Sequence, residues 1–489
     1  MSNLSRQAGI LSGAEFIRFF IKTIIGIALA RILTQGDYGS YRQLFLIYST
    51  FSTLLLLGIP QSILYFLPKA SDPDKQKRLI SNTLHFITIL SILFALALFS
   101  FRTQIASLFH NPALSSLLVI YSVYPLFIFV TQVYSSVMLG MQNTEKVAKF
   151  TIFAICSDAV IVLGVALITK SIAHIVSAVV VSALIQYLYA QYQLRIYKGT
   201  YRIDKTEVVT MLKYSIPLGL SSIIGMLSIQ LDKFVISGYF TPEQFAVFSI
   251  GAMELPFIGI ITNSVNSIIL PALSKKDSVH DAIQIYRASI RKNALIIFPV
   301  FVFCFIFGAE IIRILYTDLY QGSVLYFRIY LITILIRVAS YGILFQAFNK
   351  TKVVMYNAIA LLVVNLALNL ILVKTMGMAG PAIATVLVTY LSVSIYLILI
   401  HSMLKMSLKS LFPLRQLGMT MVVALVAGIM AYFSTFHIDS AIIKLSVAGT
   451  IFAVVFAASG FYVRVLLPYD IDLIRSFIHD IFSKLRIHR

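Results

Sequence analysis

Apolar residues fill this chain in long blocks separated by short polar punctuation, and few of the blocks show a narrow amphipathic stripe. A helix crossing the ~30 Å hydrocarbon core of a bilayer needs about 20 apolar residues, because only a helix satisfies its backbone groups cheaply in lipid. The blocks predict spans over 9–33, 43–67, 80–101, 113–140, 149–169, 172–194, 214–239, 245–272, 294–312, 323–348, 353–374, 378–404, 416–436 and 442–467. The predicted class is an all-α polytopic membrane protein of about 14 transmembrane helices.

The polar punctuation checks that count. Counted alternately along the chain, loops on one side hold Arg6, the Lys69–Arg78 cluster, Lys146, Lys149, the Arg195–Lys213 cluster and further cations to Arg489. The other side's loops hold Arg102, Lys170, Arg313, Lys374 and Lys444. An asymmetry of about five to one is a strong positive-inside signal and places both termini in the cytoplasm. A sequence repeat at an offset of 206 sets Tyr124 on Tyr330, Asn143 on Asn349, Lys146 on Lys352 and Thr169 on Thr375. The offset covers six spans, an even number, so the repeated halves share one orientation. The expected organisation is an N-lobe over 1–194 with helices 1–6, a cytoplasmic linker over 195–213 and a C-lobe over 214–404 with helices 7–12. Two extra C-terminal helices follow over 405–467, then a cytoplasmic amphipathic tail over 468–489.

Composition agrees with this picture. Of 489 residues, 59% are hydrophobic and only 12% charged, about half the charged share of a soluble domain. The formal charge of +20 would raise nucleic-acid binding in a soluble protein. Here most of it sits in cytoplasmic loops, where it faces anionic membrane lipids, and no nucleic-acid partner is expected. Cys156 and Cys304 lie singly in apolar runs and predict neither a zinc site nor a disulfide framework. No removable signal peptide is read at the N-terminus, and no nucleotide-binding, zinc-protease or serine-hydrolase motif occurs, so the chain is not read as an enzyme.

Candidate chemistry therefore rests on charges inside spans, which cost at least ~2.5–3.5 kcal/mol on insertion scales and normally face a bundle interior or wet cavity. In the first span Glu15, Arg18 and Lys22 recur at spacings of three and four and share one net-positive face. Arg337 lies near the centre of the tenth span. Arg18, Lys22 and Arg337 are the expected binders of a phosphate or pyrophosphate. Arg31 and Arg42 bracket the hairpin Ile32–Tyr41 and are candidates for an outer gate, with Asp37 expected as a turn residue. Asp158, Asp232 and Glu254 are buried-carboxylate candidates for coupling to H+ or Na+, since protonation switches their charge. Pro125, Pro217 and Pro299 are expected to break spans. No resident cofactor is expected.

The stretch Arg31-Ile-Leu-Thr-Gln-Gly-Asp-Tyr-Gly-Ser-Tyr41 resembles the R-x-L-x-x-x-x-Y-G-x-Y segment of bacterial polysaccharide transporters, and Leu231–Phe240 is similar to their seventh helix. These belong to the O-antigen flippase (Wzx-type) branch of the multidrug/oligosaccharidyl-lipid/polysaccharide (MOP) exporter superfamily. The resemblance implies two six-helix lobes around a cationic cavity whose arginines and lysines hold pyrophosphate. It implies an alternating-access flippase that moves a polyprenyl-pyrophosphate-linked oligosaccharide from the cytoplasmic to the outer leaflet of the bacterial inner membrane, for cell-surface polysaccharide biosynthesis. Its partners would be that lipid-linked oligosaccharide, membrane lipids and other polysaccharide assembly proteins. A peptidoglycan lipid flippase and a cation-coupled multidrug exporter of the same superfamily are the alternatives. A membrane polysaccharide polymerase ranks behind them, because the outer loops are short.

Overall fold

The computed structural model describes residues 3–465 apart from 71, 200–203, 254, 256–257, 260–261, 263–264, 267–268, 271–272 and 274–278. Every regular element among the described residues is helical. Among the described residues ten helices are long and apolar enough to cross a membrane, and two bent pairs raise the number to twelve: Gln35–Leu56 with Ile59–Lys69 at 44°, and Ala113–Tyr121 with Tyr124–Gly140 at 48°. The first sequence span falls on a 30-residue helix, Asn3–Ile32, that Glu15, Arg18, Lys22 and Arg31 make too charged to count by composition. The eighth lies over 245–272, much of which is outside the described residues, as is the tail from 468.

The chain forms two compact units, Met1–Ser249 with Asn365–Pro381, and Ile250–Val364 with Ala382–Arg489. The first contains α1 (Asn3–Ile32), α2 (Gln35–Leu56), α3 (Ile59–Phe66), α4 (Pro73–Ser100), α5 (Arg102–Leu108), α6 (Ala113–Tyr121) and α7 (Tyr124–Gly140). It continues with α8 (Thr144–Asp158), a π-helical turn (Ala159–Leu163), α9 (Gly164–Thr169), α10 (Ile172–Leu194), α11 (Lys205–Tyr239) and most of α12 (Pro242–Gly251). Helix α11 packs on α2 and α3, and α1 packs on α8 and the π turn.

Local chemistry explains the boundaries. Thr34 accepts from the Asp37 backbone N–H at 3.2 Å and donates to Asp37 Oδ2 at 2.8 Å, closing the first turn of α2. The expected ten-residue hairpin is therefore only Leu33-Thr34, and Arg42 stands inside the helix. Leu57 and Gly58, at φ 44° and 73°, end α2 in left-handed backbone and bend the chain into α3. Asp204 caps α11, accepting from Thr206 N at 2.9 Å and Glu207 N at 3.3 Å. The Glu207 and Thr206 N–H groups hold this carboxyl below its ordinary 3.8. Because the folded value is the lower one, the cap is fully present above the unfolded value and is lost only as pH falls through the folded one.

The core of the first unit is aromatic. Tyr121 and Tyr124 stack at 4.8 Å, Tyr48 meets Tyr124 edge-on at 4.9 Å, and Phe94 and Phe129 close the cluster. The outward faces carry exposed Val160, Leu167, Ile168 and Leu93, as suits side chains that meet hydrocarbon.

The second unit contains α13 (Val279–Ile306), α14 (Gly308–Tyr316), α15 (Ser323–Leu331), a 3-10 segment (Ile332–Val338), α16 (Tyr341–Ala347), the first part of α17 (Thr351–Met376) and most of α18 (Ala379–Leu404). It ends with the short α19 (Leu408–Leu411), α20 (Leu414–Ser434) and α21 (Ala441–Tyr462). Fully buried Ala424, Ala427, Ala431 and Ala448 let α20 and α21 approach closely, the small-residue packing that replaces the hydrophobic effect in lipid. Lys444 pairs with Glu310 at 2.7 Å, fastening α21 to α14. Pro125 sits at the start of α7, at the 48° bend that breaks its span as expected, whereas Pro217 and Pro299 lie inside helices that continue through them without the expected break.

Candidate functional site

A cavity of about 290 Å³ opens in the first unit among α1, α2, α11 and α12. Helix α1 contributes Lys22, Ile25 and Gly26, at spacings of three and four on one face. Helix α2 contributes Arg42, Phe45, Leu46 and Ser49, the i, i+3, i+4, i+7 stripe of a single helical face, together with Tyr41. Helix α11 supplies Gln230 and Lys233, one turn apart, and Phe245 comes from α12. Among the described residues the lining thus holds three cations, an amide, two hydroxyls and no carboxylate.

Each cation is positioned. Lys22 Nζ stands 5.7 Å from the Phe45 ring centroid, a cation–π contact that holds the ammonium while leaving its donors free. Arg42 is half-buried and lies close enough to buried Tyr38 for its charge to act on that hydroxyl. Lys233 Nζ reaches back to Ile229 O at 3.3 Å, and Gln230 Nε2 donates to Ser49 Oγ at 3.4 Å. Arg18, Asp158 and Arg42 are the ionisable groups that act on Lys22.

The remaining sequence candidates sit elsewhere. Arg18, one turn before Lys22, pairs with Glu15 at 2.5 Å with both side chains about half exposed. Arg31 is exposed at the end of α1. Arg337 belongs to the 3-10 segment of the second unit and is half-buried. Asp232 is 3% exposed and accepts from Lys233 N at 2.7 Å. Glu254 lies outside the described residues.

Asp158 ends α8, immediately before the π-helical turn, a feature often found where a helix is shaped for function. Its Oδ1 accepts from Ser182 Oγ at 2.6 Å and Gln186 Nε2 at 2.9 Å, both on α10. Asp158→Asn keeps that acceptor, whereas Asp158→Ala leaves two donors to poorer partners such as Ala154 O, 3.4 Å from Gln186. The alanine variant is expected to be about 1–2 kcal/mol less stable than the asparagine variant. Thermal unfolding of the detergent-solubilised protein checks this, and equal midpoints would remove the network from the account.

Sequence reasoning passed over Lys233, Gln230 and Ser49. Lys233 stands beside Asp232 inside an apolar span, and a lysine there carries the same signal as Lys22.

The family described as polysaccharide biosynthesis protein matches residues 28–325. A Shigella flexneri protein named "Putative O-antigen transporter" is 23% identical over 389 residues, covering 75% of this chain and 91% of its own. Among solved structures, the lipid II flippase MurJ in an inward closed conformation superposes with a TM-score of 0.72 at 14% identity, covering 93% of this chain and 98% of its own. An inward-facing MATE-family multidrug resistance transporter of the MOP superfamily gives 0.58 at 14% identity over 86% and 96%. A MOP superfamily transporter from Pyrococcus furiosus gives 0.51 at 15% identity over 83% and 96%. The fold is the one these transporters share, and the match over more than half of its length makes this chain a member of the polysaccharide biosynthesis protein family.

Proposed function

We propose that this protein is a flippase that carries a polyprenyl-pyrophosphate-linked oligosaccharide from the cytoplasmic to the outer leaflet of a bacterial inner membrane by alternating access. The observation that carries this reading is the carboxylate-free lining of the cavity, where Lys22, Arg42 and Lys233 converge within a membrane-embedded unit. Three cations in a low-dielectric site repel one another until an anion enters, and a pyrophosphate offers several acceptor oxygens to their donors. Arg42 brings the planar fork suited to phosphate, and the lysines act as point charges. Gln230, Ser49 and Tyr41 add neutral donors and acceptors fit for sugar hydroxyls.

Membership in a polysaccharide biosynthesis family and likeness to an O-antigen transporter support the saccharide. A peptidoglycan precursor is the second reading, favoured by the superposition on a lipid II flippase. A cationic drug fits poorly against this lining. We assign coupling to H+ or Na+ to Asp158, Asp232 or Glu254, and the linker over 195–213 and both termini to the cytoplasm.

The test is reconstitution into vesicles with a fluorescent polyprenyl-pyrophosphate-linked oligosaccharide in the inner leaflet. Protein-dependent exposure to an impermeant quencher is expected, with inorganic pyrophosphate raising the protein's unfolding temperature. Monodisperse protein that moves the lipid no faster than empty vesicles and ignores pyrophosphate would overturn the reading.

A further inference from the structure

Gly199, Asp204 and Glu207 of the linker between the two sequence halves are docked on α4, held by two consecutive residues of that helix. Ser81 Oγ donates to Gly199 O at 3.0 Å and accepts from Gly199 N at 2.9 Å. Asn82 Nδ2 donates to Glu207 Oε2, and Asn82 Oδ1 accepts from Asp204 N at 3.0 Å. Both side chains are buried, at 2% and 0% exposure. A buried amide in a span is costly unless its donors and acceptors are used, and Asn82 uses both ends on the linker. Arg78 Nε adds an ion pair to Glu207 at 3.8 Å.

Two further layers continue the grip along α11. Tyr214 stacks on Tyr65 of α3 at 4.3 Å and 17° and meets Phe66 edge-on at 5.5 Å, while Lys69 Nζ lies 3.5 Å from the Tyr65 ring centroid. Beyond them the backbones touch: a Cβ on Gly58 would lie 2.7 Å from Ser215 O, and one on Gly219 would lie 2.5 Å from Leu57 C. Pro217, which removes one helical hydrogen bond from α11, stands between the contacts made by residues 204–215 and the cavity-lining Gln230 and Lys233, with the Gly219 contact just beyond it.

We propose that these layers form a separable latch. The 205–216 segment of α11 closes the cytoplasmic mouth of the cavity when Glu207 is on Asn82, and it swings from α3 and α4 about Pro217 when that bond is released. The inference rests on the alternating-access reading and on the cytoplasmic placement of the linker. The contacts suit repeated opening. Arg78 is about half exposed, so water replaces the polar bonds as they break. A flat ring stack and a glycine step part without unthreading any side chain.

The experiment uses full-length protein with Cys156→Ser and Cys304→Ala, so that introduced thiols are the only ones. Ser49→Cys reports cavity access from the linker side, read as alkylation by an impermeant maleimide in inside-out vesicles. Asn82→Ala is expected to raise that rate about tenfold, the shift that loss of one charge-assisted hydrogen bond gives a two-state equilibrium. Tyr214→Ala tests the same latch through a different layer if Asn82→Ala does not accumulate. Joining Asn82→Cys to Glu207→Cys with a short bis-methanethiosulfonate is expected to stop transport reversibly, with reductant restoring it. Unchanged alkylation in the variants, or full transport by the joined protein, would overturn the latch. If wild-type protein moves no lipid-linked saccharide, the proposed function fails, while the alkylation rates still decide the latch.

Discussion

Alanine at Lys22 and Arg42 together is expected to abolish export of surface polysaccharide while the protein stays in the membrane at its normal level. The two side chains come from different helices but line the same cavity, and no carboxylate in the lining offsets them. On the proposed function each would supply charged donors to a bound pyrophosphate, and a hydrogen bond to a charged group is worth about 1.5–3 kcal/mol. Removing both therefore weakens cargo binding by about 100-fold or more, at ~1.4 kcal/mol per factor of ten. Truncation leaves the packing in place, because Lys22 is exposed to the cavity and Arg42 is half-buried. Lys233→Ala is expected to act in the same direction. Arg18→Ala acts less, since its guanidinium already pairs with Glu15 in a half-exposed bridge of the kind worth ~0–1 kcal/mol. Immunoblots of surface polysaccharide and of membrane fractions, in a strain lacking the native gene, check the order. Normal export by the double variant would remove the cationic cavity as the cargo site.

That ordering differs from the one the chain alone suggests, and the reason is geometric. Lys22 was legible because a lysine in the middle of an apolar run needs a polar destination. Arg42 was placed on a loop because hydropathy starts the second span at 43. The earlier start is written in Thr34 and Asp37, a cap whose spacing is local and whose energy hydropathy does not count. Charge density inside a span likewise does not say which neighbour a side chain meets. Arg18 and Lys22 share one helical face, yet one finds Glu15 and the other the cavity, because a turn of helix separates their depths. The π turn after Asp158 had no signature, since one extra residue in a helix changes neither apolar content nor length noticeably. Periodicity and length made the helices legible; the convergence of residues 22, 42, 230 and 233 is a property of packing among three helices, one of them nearly 200 residues from the other two.

Gly219→Val is expected to cost the protein most of its stability, in contrast with Gly225→Ala six residues along the same helix. Helix α11 crosses α3 so closely that a Cβ on Gly219 would lie 2.5 Å from Leu57 C and 2.9 Å from Leu57 Cα. The obstacle is backbone, so no rotamer change relieves it. That backbone is itself fixed, because Leu57 and Gly58 hold left-handed conformations that bend α2 into α3. Overpacking of a tight site commonly costs about 1–3 kcal/mol, and a β-branched side chain driven into an immovable backbone belongs at or beyond the upper end. Around Gly225 nothing lies within 4 Å of an added Cβ, so alanine there meets open space and gains up to ~1 kcal/mol of helix preference. Unfolding midpoints of the two variants in detergent separate the cases: a fall for Gly219→Val with none for Gly225→Ala is expected. Equal midpoints would mean that α11 and α3 do not meet backbone to backbone, and the bend at Leu57 would then need another cause.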